Sequence, residues 1–217
     1  MRKLCVFDLD GTTVDTLQDL CLSVNYALKI NELPAKSAEE LCALVGHSTL
    51  YMCTNAIAPA LREQYTKQVL DDYNRHYARH FCDHSRPYTG MKELMDHLHT
   101  EGIRTALVSN KPHRFTARMI DSFYPNDSFS MVLGMLPKFA KKPDPEPLMF
   151  VLNELGVKPE EALYVGDSEV DIEFAKNTGM PCISVTWGLR TKDKLLEAGA
   201  GTLVDTPEEL YSAIIRM

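Results

Sequence analysis

The chain alternates short, continuously apolar segments with segments of helical periodicity, and this alternation constrains its fold more than any other feature. The apolar segments have the length of strands and cover residues 4–7, 103–108, 131–133, 162–165, 182–185 and 202–204. Helical patterns cover residues 91–100, 112–122, 145–155, 169–178 and 207–215. Strands of a parallel sheet are buried on both faces and are therefore continuously apolar. The pattern predicts an α/β fold with a doubly wound, Rossmann-like parallel sheet.

One long segment interrupts this alternation. From about residue 14 to residue 84 we find helical patterns, clearest at residues 37–44 and 61–81, and no convincing strand. A helical insert after the first strand explains this most simply. We therefore predict an α/β catalytic core formed by residues 1–14 and 85–217, and a helical cap domain formed by residues 15–84.

Charge and cysteine content narrow the classes of partner. The net charge is -7, with 23 basic and 30 acidic residues, which argues against a nucleic-acid polymer as partner. A small phosphorylated metabolite remains possible, because a metal ion and a few local cations can neutralise one phosphate. The six cysteines show no CxxC pair, which is typical of free thiols in a reducing compartment. No apolar run has the length of a membrane span or signal peptide, so we expect a cytoplasmic protein without a membrane partner.

Two aspartates follow the first predicted strand, where residues 8–16 read DLDGTTVDT. Residues two apart in an extended chain point to the same side, so Asp8 and Asp10 can face one site while Leu9 turns inward. Ligands of open α/β sheets bind at the carboxyl ends of the strands. A calcium loop would need its glycine at the sixth position and a closing glutamate, and this segment has neither.

Polar residues also follow the next predicted strand, and a lysine pair precedes a later helix. Ser109, Asn110 and Lys111 suit an anionic ligand, although Ser109 or Asn110 could simply cap the helix that follows. Residues 141–147 read KKPDPEP, and we expect these prolines to form a stiff, extended segment that aims Lys142. Two adjacent lysines could also be no more than solubilising charge.

A second acidic motif follows the strand predicted at residues 162–165, where residues 166–171 read GDSEVD. Asp171 comes one helical turn after Asp167, so we expect the two carboxylates to share a face. Capping of the helix start could account for one of them.

Together these four motifs support one chemistry. Clustered carboxylates bind a hard cation such as Mg²⁺, and the cation and a lysine offset the charge that repels a carboxylate from a phosphate. An aspartate can then form an aspartyl-phosphate. A second carboxyl group can protonate the leaving group and later activate water.

With these motifs in this order, the chain resembles the haloacid dehalogenase superfamily in its phosphatase branch, and most closely its phosphoglycolate phosphatase-like members. The resemblance implies that Asp8 is the nucleophile and a magnesium ligand, and that Asp10 is the general acid/base and binds the metal through its backbone carbonyl. It also implies further roles. Thr12 would position the nucleophile loop, Ser109 and Asn110 would hold the phosphoryl group, Lys142 would neutralise it, Asp167 would ligate the metal, and Asp171 would support the metal site from behind.

The insert resembles the superfamily's helical cap, which closes over the core and recognises the leaving group of the substrate. We expect the turn at residues 46–48 to face the catalytic crevice, with His47 near the leaving group; alternatively, His47 only caps the following helix. Specificity would otherwise depend on Tyr51, Arg62 and other cap side chains.

The motifs count against some alternative functions and leave others open. Dehalogenases and phosphonate hydrolases of this superfamily lack a residue equivalent to Asp10. A β-phosphoglucomutase-like phosphotransferase has both aspartates, but usually carries an arginine in the loop at residues 46–49 and lacks an acid at the position of Asp171. A pyrophosphatase or nucleotidase remains possible. Outside enzymes, a phospho-accepting receiver domain would lack the insert, and a catalytically inactive binding protein would have lost one of the motif residues.

Overall fold

The computed structural model describes residues 2–125 and 127–217. Its central sheet has the strand order β5-β4-β1-β6-β7-β8, and every neighbouring pair is parallel. The strands are β1 (Leu4–Phe7), β4 (Arg104–Pro112), β5 (Met131–Met135), β6 (Ala162–Gly166), β7 (Cys182–Val185) and β8 (Leu203–Val204). This arrangement confirms the predicted α/β class.

The sheet is buried on both faces, as its continuously apolar strands predict. In β1, Cys5 and Phe7 belong to one apolar cluster, whereas Leu4 and Val6 belong to the other. The first cluster is covered by α5 (Met91–Thr100), α6 (His113–Phe123) and α10 (Pro207–Arg216), and the second by α7 (Glu146–Glu154) and α8 (Glu169–Thr178). Alternate side chains of a strand point to opposite faces, so a strand between two helical layers needs apolar residues at every position.

The predicted helical insert lies between two short strands. It contains α1 (Leu17–Ile30), α2 (Ala38–Cys42), α3 (Thr49–Ala56) and α4 (Arg62–His80), with a 3-10 turn at Pro59–Leu61 before α4. The strands β2 (Val14–Asp15) and β3 (Arg86–Pro87) pair antiparallel at the two ends of the insert. This two-stranded ribbon joins the cap to the core. The prediction that residues 14–84 contain no strand was wrong at β2, because a strand of two residues leaves no recognisable pattern in the sequence. The division into two domains stays a prediction.

One local expectation was also wrong, and one short helix was not predicted. The segment before α7 is a turn rather than an extended run, because the Asp144 amide donates to the Lys141 carbonyl at 3.0 Å. A short helix, α9 (Lys192–Glu197), follows β7 where no helix was predicted; the Thr191 side chain caps it by accepting a hydrogen bond from the Lys194 amide. Prolines alone therefore did not determine the shape of the lysine segment.

None of the helices in residues 2–125 and 127–217 has the length and apolarity required to cross a bilayer. All six cysteines are free thiols, and burial raises the pKa of Cys5 to about 12. Cys5 therefore behaves as an inert core residue. The cytoplasmic location stays a prediction.

Candidate active site

The strand order brings three of the four motifs together. β1 lies between β4 and β6, with Phe7 in register with Leu107 on one side and with Val165 on the other. Asp8 follows β1, residues 109–111 lie in the last part of β4, and Asp167 follows β6. The carboxyl ends of parallel strands share one edge of the sheet, so these residues converge on one crevice.

A buried carboxylate cluster occupies this crevice. One carboxylate oxygen from each of Asp8, Asp167 and Asp171 lies within 4.8 Å of the others. The Thr12 hydroxyl and the Leu189 amide donate to the two oxygens of Asp167, at 2.9 and 2.7 Å. Asp167 is thereby fixed from two sides.

Gly11 allows the loop after β1 to approach Asp167 closely. Its φ of 87° lies in the left-handed region, and a Cβ at this position would lie 2.4 Å from Asp167 Oδ2. Any side chain there would therefore collide with the carboxylate as well as strain the backbone. The glycine of the first motif is required by this contact.

Lys142 is held by three groups at once. Its Nζ lies 2.8 Å from Asp8 Oδ1 and 2.8 Å from Asp171 Oδ1, and it donates to the Tyr164 hydroxyl at 3.0 Å. Burial lowers the pKa of Lys142, but the attraction of Asp171 and Asp8 outweighs it and raises the pKa above its usual range. Lys142 is thus a fixed buried cation beside Asp8.

Both carboxylate oxygens of Asp171 already accept hydrogen bonds from neighbouring residues. Oδ1 accepts from Lys142 and from the Tyr164 hydroxyl, and Oδ2 accepts from the Ser168 hydroxyl at 2.6 Å in a capping box at the start of α8. Burial would raise the pKa of Asp171, but Lys142 together with these hydrogen bonds lowers it. The capping role that we considered for one acid is therefore correct for Asp171, which also supports Lys142.

The cluster carries more negative charge than Lys142 neutralises. Burial is the main cause that raises the pKa of Asp8 to about 6, and burial with the charge of Asp171 raises the pKa of Asp167 to about 8. Asp8 Oδ1 accepts no hydrogen bond from the described residues, although it pairs with the charge of Lys142. Buried oxygen ligands with a deficit of positive charge suit a hard divalent cation, so this cluster could bind a metal.

Asp10 lies apart from the carboxylate cluster. Its Oδ1 accepts from the Thr16 hydroxyl at 2.6 Å and pairs with Lys111 Nζ at 2.7 Å. The side chain of Asp10 is therefore not part of the group of possible metal ligands, and a metal contact through its backbone carbonyl stays a prediction.

The residues of the second motif lie within the end of β4. The Ser109 hydroxyl accepts from the Lys111 amide at 3.3 Å. Asn110 donates to the Gly46 carbonyl at 3.1 Å and to the Lys142 carbonyl at 3.2 Å, and accepts from the Lys142 amide at 2.8 Å. Asn110 thus joins the cap to the loop that carries Lys142, a contact that no local sequence signal revealed.

The turn at residues 46–48 faces the crevice. A cavity between cap and core is lined by Gly46, His47 and Ser48 from this turn and by Asp10 and Lys111 from the core. The following helix, α3, is capped by Ser48, which accepts from the Tyr51 amide, so His47 is not its cap. The His47 ring packs against the Tyr51 ring at a tilt of 43°, with 4.3 Å between ring centroids, and its Nε2 lies 3.8 Å from Glu169. A role of His47 at the leaving group stays a prediction.

Arg190 is a site residue that sequence analysis missed. Its guanidinium donates to the carbonyls of Cys42 and Val45 in the cap at 2.9 and 2.8 Å, and to both oxygens of Glu169 in the core. It thereby holds the cap against the core. Lys111 was predicted only as part of a motif that suits an anionic ligand. Its pairing with Asp10 was not predicted, because the two residues lie 101 positions apart in the chain.

Comparisons with known proteins agree with this geometry. The model of the family described as "Haloacid dehalogenase-like hydrolase" matches residues 5–185. A phosphoglycolate phosphatase from Haemophilus influenzae is 32% identical, with 98% of each chain covered, and one from Mannheimia succiniciproducens is 35% identical, with 86% of each covered. The crystal structure of a provisionally named phosphoglycolate phosphatase from Lactobacillus delbrueckii is similar with a TM-score of 0.94 and 31% identity, over 99% of each chain. The resemblance predicted from the motifs is confirmed.

Proposed function

The chain belongs to the haloacid dehalogenase-like hydrolase family and is a phosphatase, and from that premise we propose that it is a magnesium-dependent enzyme that hydrolyses a small phosphate monoester such as 2-phosphoglycolate. The observation that carries this proposal is the position of Asp8. This buried carboxylate lies at the end of β1 beside the fixed cation of Lys142 and the carboxylate of Asp167. Phosphoglycolate itself is suggested by the names of the relatives.

In the proposed first step, a carboxylate oxygen of Asp8 attacks phosphorus while the bond from phosphorus to the leaving oxygen breaks. Asp10 gives its proton to that oxygen, so the product leaves as an alcohol. In the second step, Asp10 takes a proton from water, and the water oxygen attacks phosphorus. The bond between phosphorus and Asp8 then breaks and releases inorganic phosphate.

Lys142 would neutralise the phosphoryl oxygens during both steps. Its ammonium is held beside Asp8 by Asp171 and Tyr164, so it would need no reorganisation during reaction. Ser109 and Asn110 would hold the phosphoryl group from the end of β4. Of the two, Ser109 has the freer side chain, because the Asn110 amide contacts Gly46 and Lys142.

Asp8, the Asp10 carbonyl and Asp167 would hold Mg²⁺, and Thr12 and Asp171 would fix these ligands from behind. When bound, the ion would supply positive charge to the phosphoryl oxygens and keep the crowded carboxylates ionised. The cap, held by Arg190 and Asn110, would exclude bulk water from Asp8 during the first step.

The test is a comparison of phosphate donors with the purified protein. We expect phosphate release from 2-phosphoglycolate with a higher kcat/KM than from pyrophosphate, sugar phosphates or nucleoside monophosphates, with activity abolished by EDTA and restored by Mg²⁺. Transfer of phosphate to glucose phosphates in place of hydrolysis would favour the mutase alternative. Full activity in metal-free protein would contradict the proposed metal dependence.

A further inference from the structure

The cavity between cap and core contains polar groups that the proposed chemical steps do not use. Its wall includes Asp10 and Lys111 from the core, and Tyr73 and Tyr77 from α4 of the cap. It holds about 350 Å³ of empty space, including the part that opens to solvent. Because this figure includes open space, the enclosed part of the cavity is much smaller, so the cavity suits only a small group.

Lys111 brings a positive charge into this cavity. Only 3% of its side chain is exposed, and its Nζ pairs with Asp10 at 2.7 Å. Among the residues that the structure describes, Asp10 is its only hydrogen-bond partner through Nζ. An ammonium has three N–H donors, so two of them are left for a ligand.

Tyr77 adds a neutral donor. Its hydroxyl is buried and has no hydrogen-bond partner within the described residues, and the residue is 1% exposed. Lys111 Nζ lies 4.9 Å from the centroid of the Tyr77 ring, so both side chains occupy the same side of the cavity. Burial, reinforced by the charge of Asp10, raises the pKa of Tyr77 well above its usual range, which keeps the hydroxyl protonated.

The ring of Tyr77 is held firmly. It stacks on Tyr73 at 5.3 Å between centroids and meets Phe115 edge-on at 5.1 Å. A buried hydroxyl without a partner costs stability. A ligand that accepts a hydrogen bond from it would remove that cost, and the rigid ring would lose little freedom on binding.

Asp10 identifies which part of the substrate enters this cavity. If Asp10 protonates the leaving oxygen, the group attached to that oxygen must lie in the cavity that Asp10 lines. Lys111 contacts Asp10 directly, so a negative charge one or two carbons from the leaving oxygen would come within its reach. Apolar side chains of Leu20 and Met52 complete the wall and leave little room for a large group.

Resting on the proposed function, we propose that the Lys111 ammonium and the Tyr77 hydroxyl bind a carboxylate of the leaving group and so select phosphate esters of small hydroxy acids. Lys111 would keep its contact with Asp10 through one N–H and donate to the carboxylate through another. Tyr77 would donate to the same carboxylate from the cap, so that this contact forms only when the cap is closed.

The test compares 2-phosphoglycolate with ethyl phosphate, whose leaving group is similar in size but neutral. Lys111→Met keeps the length of the side chain and removes its charge. We expect it to lower kcat/KM for 2-phosphoglycolate about 10- to 100-fold more than for ethyl phosphate, the range expected for one charge-assisted hydrogen bond. Tyr77→Phe should shift the same ratio about three- to tenfold. Lys92→Met removes an exposed lysine on α5 and is the matched control, with no change in the ratio.

Equal losses for both substrates in Lys111→Met would overturn the proposal, because Lys111 would then act only by positioning Asp10. If Lys111→Met does not fold, as judged by circular dichroism, Tyr77→Phe decides by the same ratio. A wild-type preference for pyrophosphate that Lys111→Met removes would show that a second phosphate occupies the subsite, and would also overturn it. Wild-type protein that releases phosphate from none of these donors would refute the proposed function instead.

Discussion

The crevice has a phosphoryl side, which contains Asp8, Lys142, Asp167 and Asp171, and a leaving-group side, which contains Lys111 and Tyr77. The two sides differ in how many of their polar groups have hydrogen-bond or ion-pair partners. On the phosphoryl side, Lys142 has three close partners, both oxygens of Asp167 accept hydrogen bonds, and both oxygens of Asp171 are engaged. On the leaving-group side, within the described residues, Lys111 Nζ has one hydrogen-bond partner and the Tyr77 hydroxyl has none.

This difference matches two tasks. The phosphoryl group is common to every substrate of such an enzyme, so its surroundings can be fixed in advance. The leaving group differs between substrates, and donors left unused by the protein are those that a ligand can satisfy. Mutations on the phosphoryl side should therefore affect all substrates alike, whereas those on the leaving-group side should affect substrates differently.

The largest expected effect is that of Asp8→Asn. This change keeps the size of the side chain but removes the attacking anionic oxygen, so we expect kcat to fall by at least about 10⁴-fold for every phosphate ester. Phosphate release is the measurement, with circular dichroism as a check of folding. Substantial turnover by folded Asp8→Asn protein would contradict the covalent mechanism.

The next largest effect is expected for Asp10→Asn. Asp10 concerns both sides of the crevice, because it would protonate the oxygen that links the phosphoryl group to the leaving group. Its backbone carbonyl is unchanged, so only proton transfer should be lost, at a cost of about 10²–10⁴-fold in kcat. The loss should be smaller for an aryl phosphate, whose leaving group needs little protonation. If good and poor leaving groups suffer equally, Asp10 is not the acid.

Metal removal should make the stability of the protein depend on pH, because the negative charges of the phosphoryl side are then not balanced. The pKa values of Asp8, about 6, and Asp167, about 8, lie above the ordinary 3.8. Between pH 4 and 8 these two carboxyl groups therefore bind more protons in the folded protein than in the unfolded chain, so their contribution to the free energy of unfolding should fall as the pH rises through this range. Thermal unfolding in EDTA at about pH 5.5 and about pH 8 measures this loss.

Saturating Mg²⁺ should raise the Tm most at the higher pH, because the ion binds the ionised carboxylates of the folded state. Asp167→Asn is the matched control, and it should reduce the pH dependence of the metal-free protein. A metal-free Tm that rises from pH 5.5 to pH 8 would contradict the predicted charge deficit.

The smallest expected effect is that of His47→Ala. Burial, together with the nearby cations Arg190 and Lys141, outweighs Glu169 and lowers the pKa of His47, so the ring is neutral at pH 7 and can contribute a hydrogen bond rather than a charge. We expect a loss of about three- to tenfold in kcat/KM for 2-phosphoglycolate and almost none for an aryl phosphate. Equal changes in kcat/KM for both substrates would show that His47 has a structural role. Specificity would then depend on other cap side chains, such as Tyr51 and Arg62.

The sequence predicted the phosphoryl side better than the leaving-group side, for a physical reason. Asp8 and Asp167 follow continuously apolar strands and Ser109 lies in the last part of one, and strand ends of a parallel sheet meet at one edge. Their proximity therefore followed from local patterns and strand topology. The strand periodicity also placed Leu9 inside the core, and it is fully buried.

The contacts of Lys111, Tyr77 and Arg190 depend on how the cap lies on the core. Tyr77 is one of several aromatic residues on α4, and no local pattern distinguishes it from the others. Arg190 meets cap carbonyls about 145 residues away in sequence, and carbonyl acceptors have no sequence signature. The lysine segment at residues 141–145 was misjudged because a backbone hydrogen bond from Asp144 to Lys141 closes a turn there, and the sequence pattern does not reveal that bond.

The central claim is that Asp8 carries the phosphoryl group, and trapping that bond tests it most directly. The Asp10→Asn variant should be mixed with an aryl phosphate and Mg²⁺ and quenched within one turnover with borohydride, which reduces an acyl phosphate to an alcohol. Because activation of water is impaired in this variant, we expect mass spectrometry to find homoserine at position 8, and no such product without substrate. A burst of aryl alcohol release with unmodified Asp8 would contradict the account.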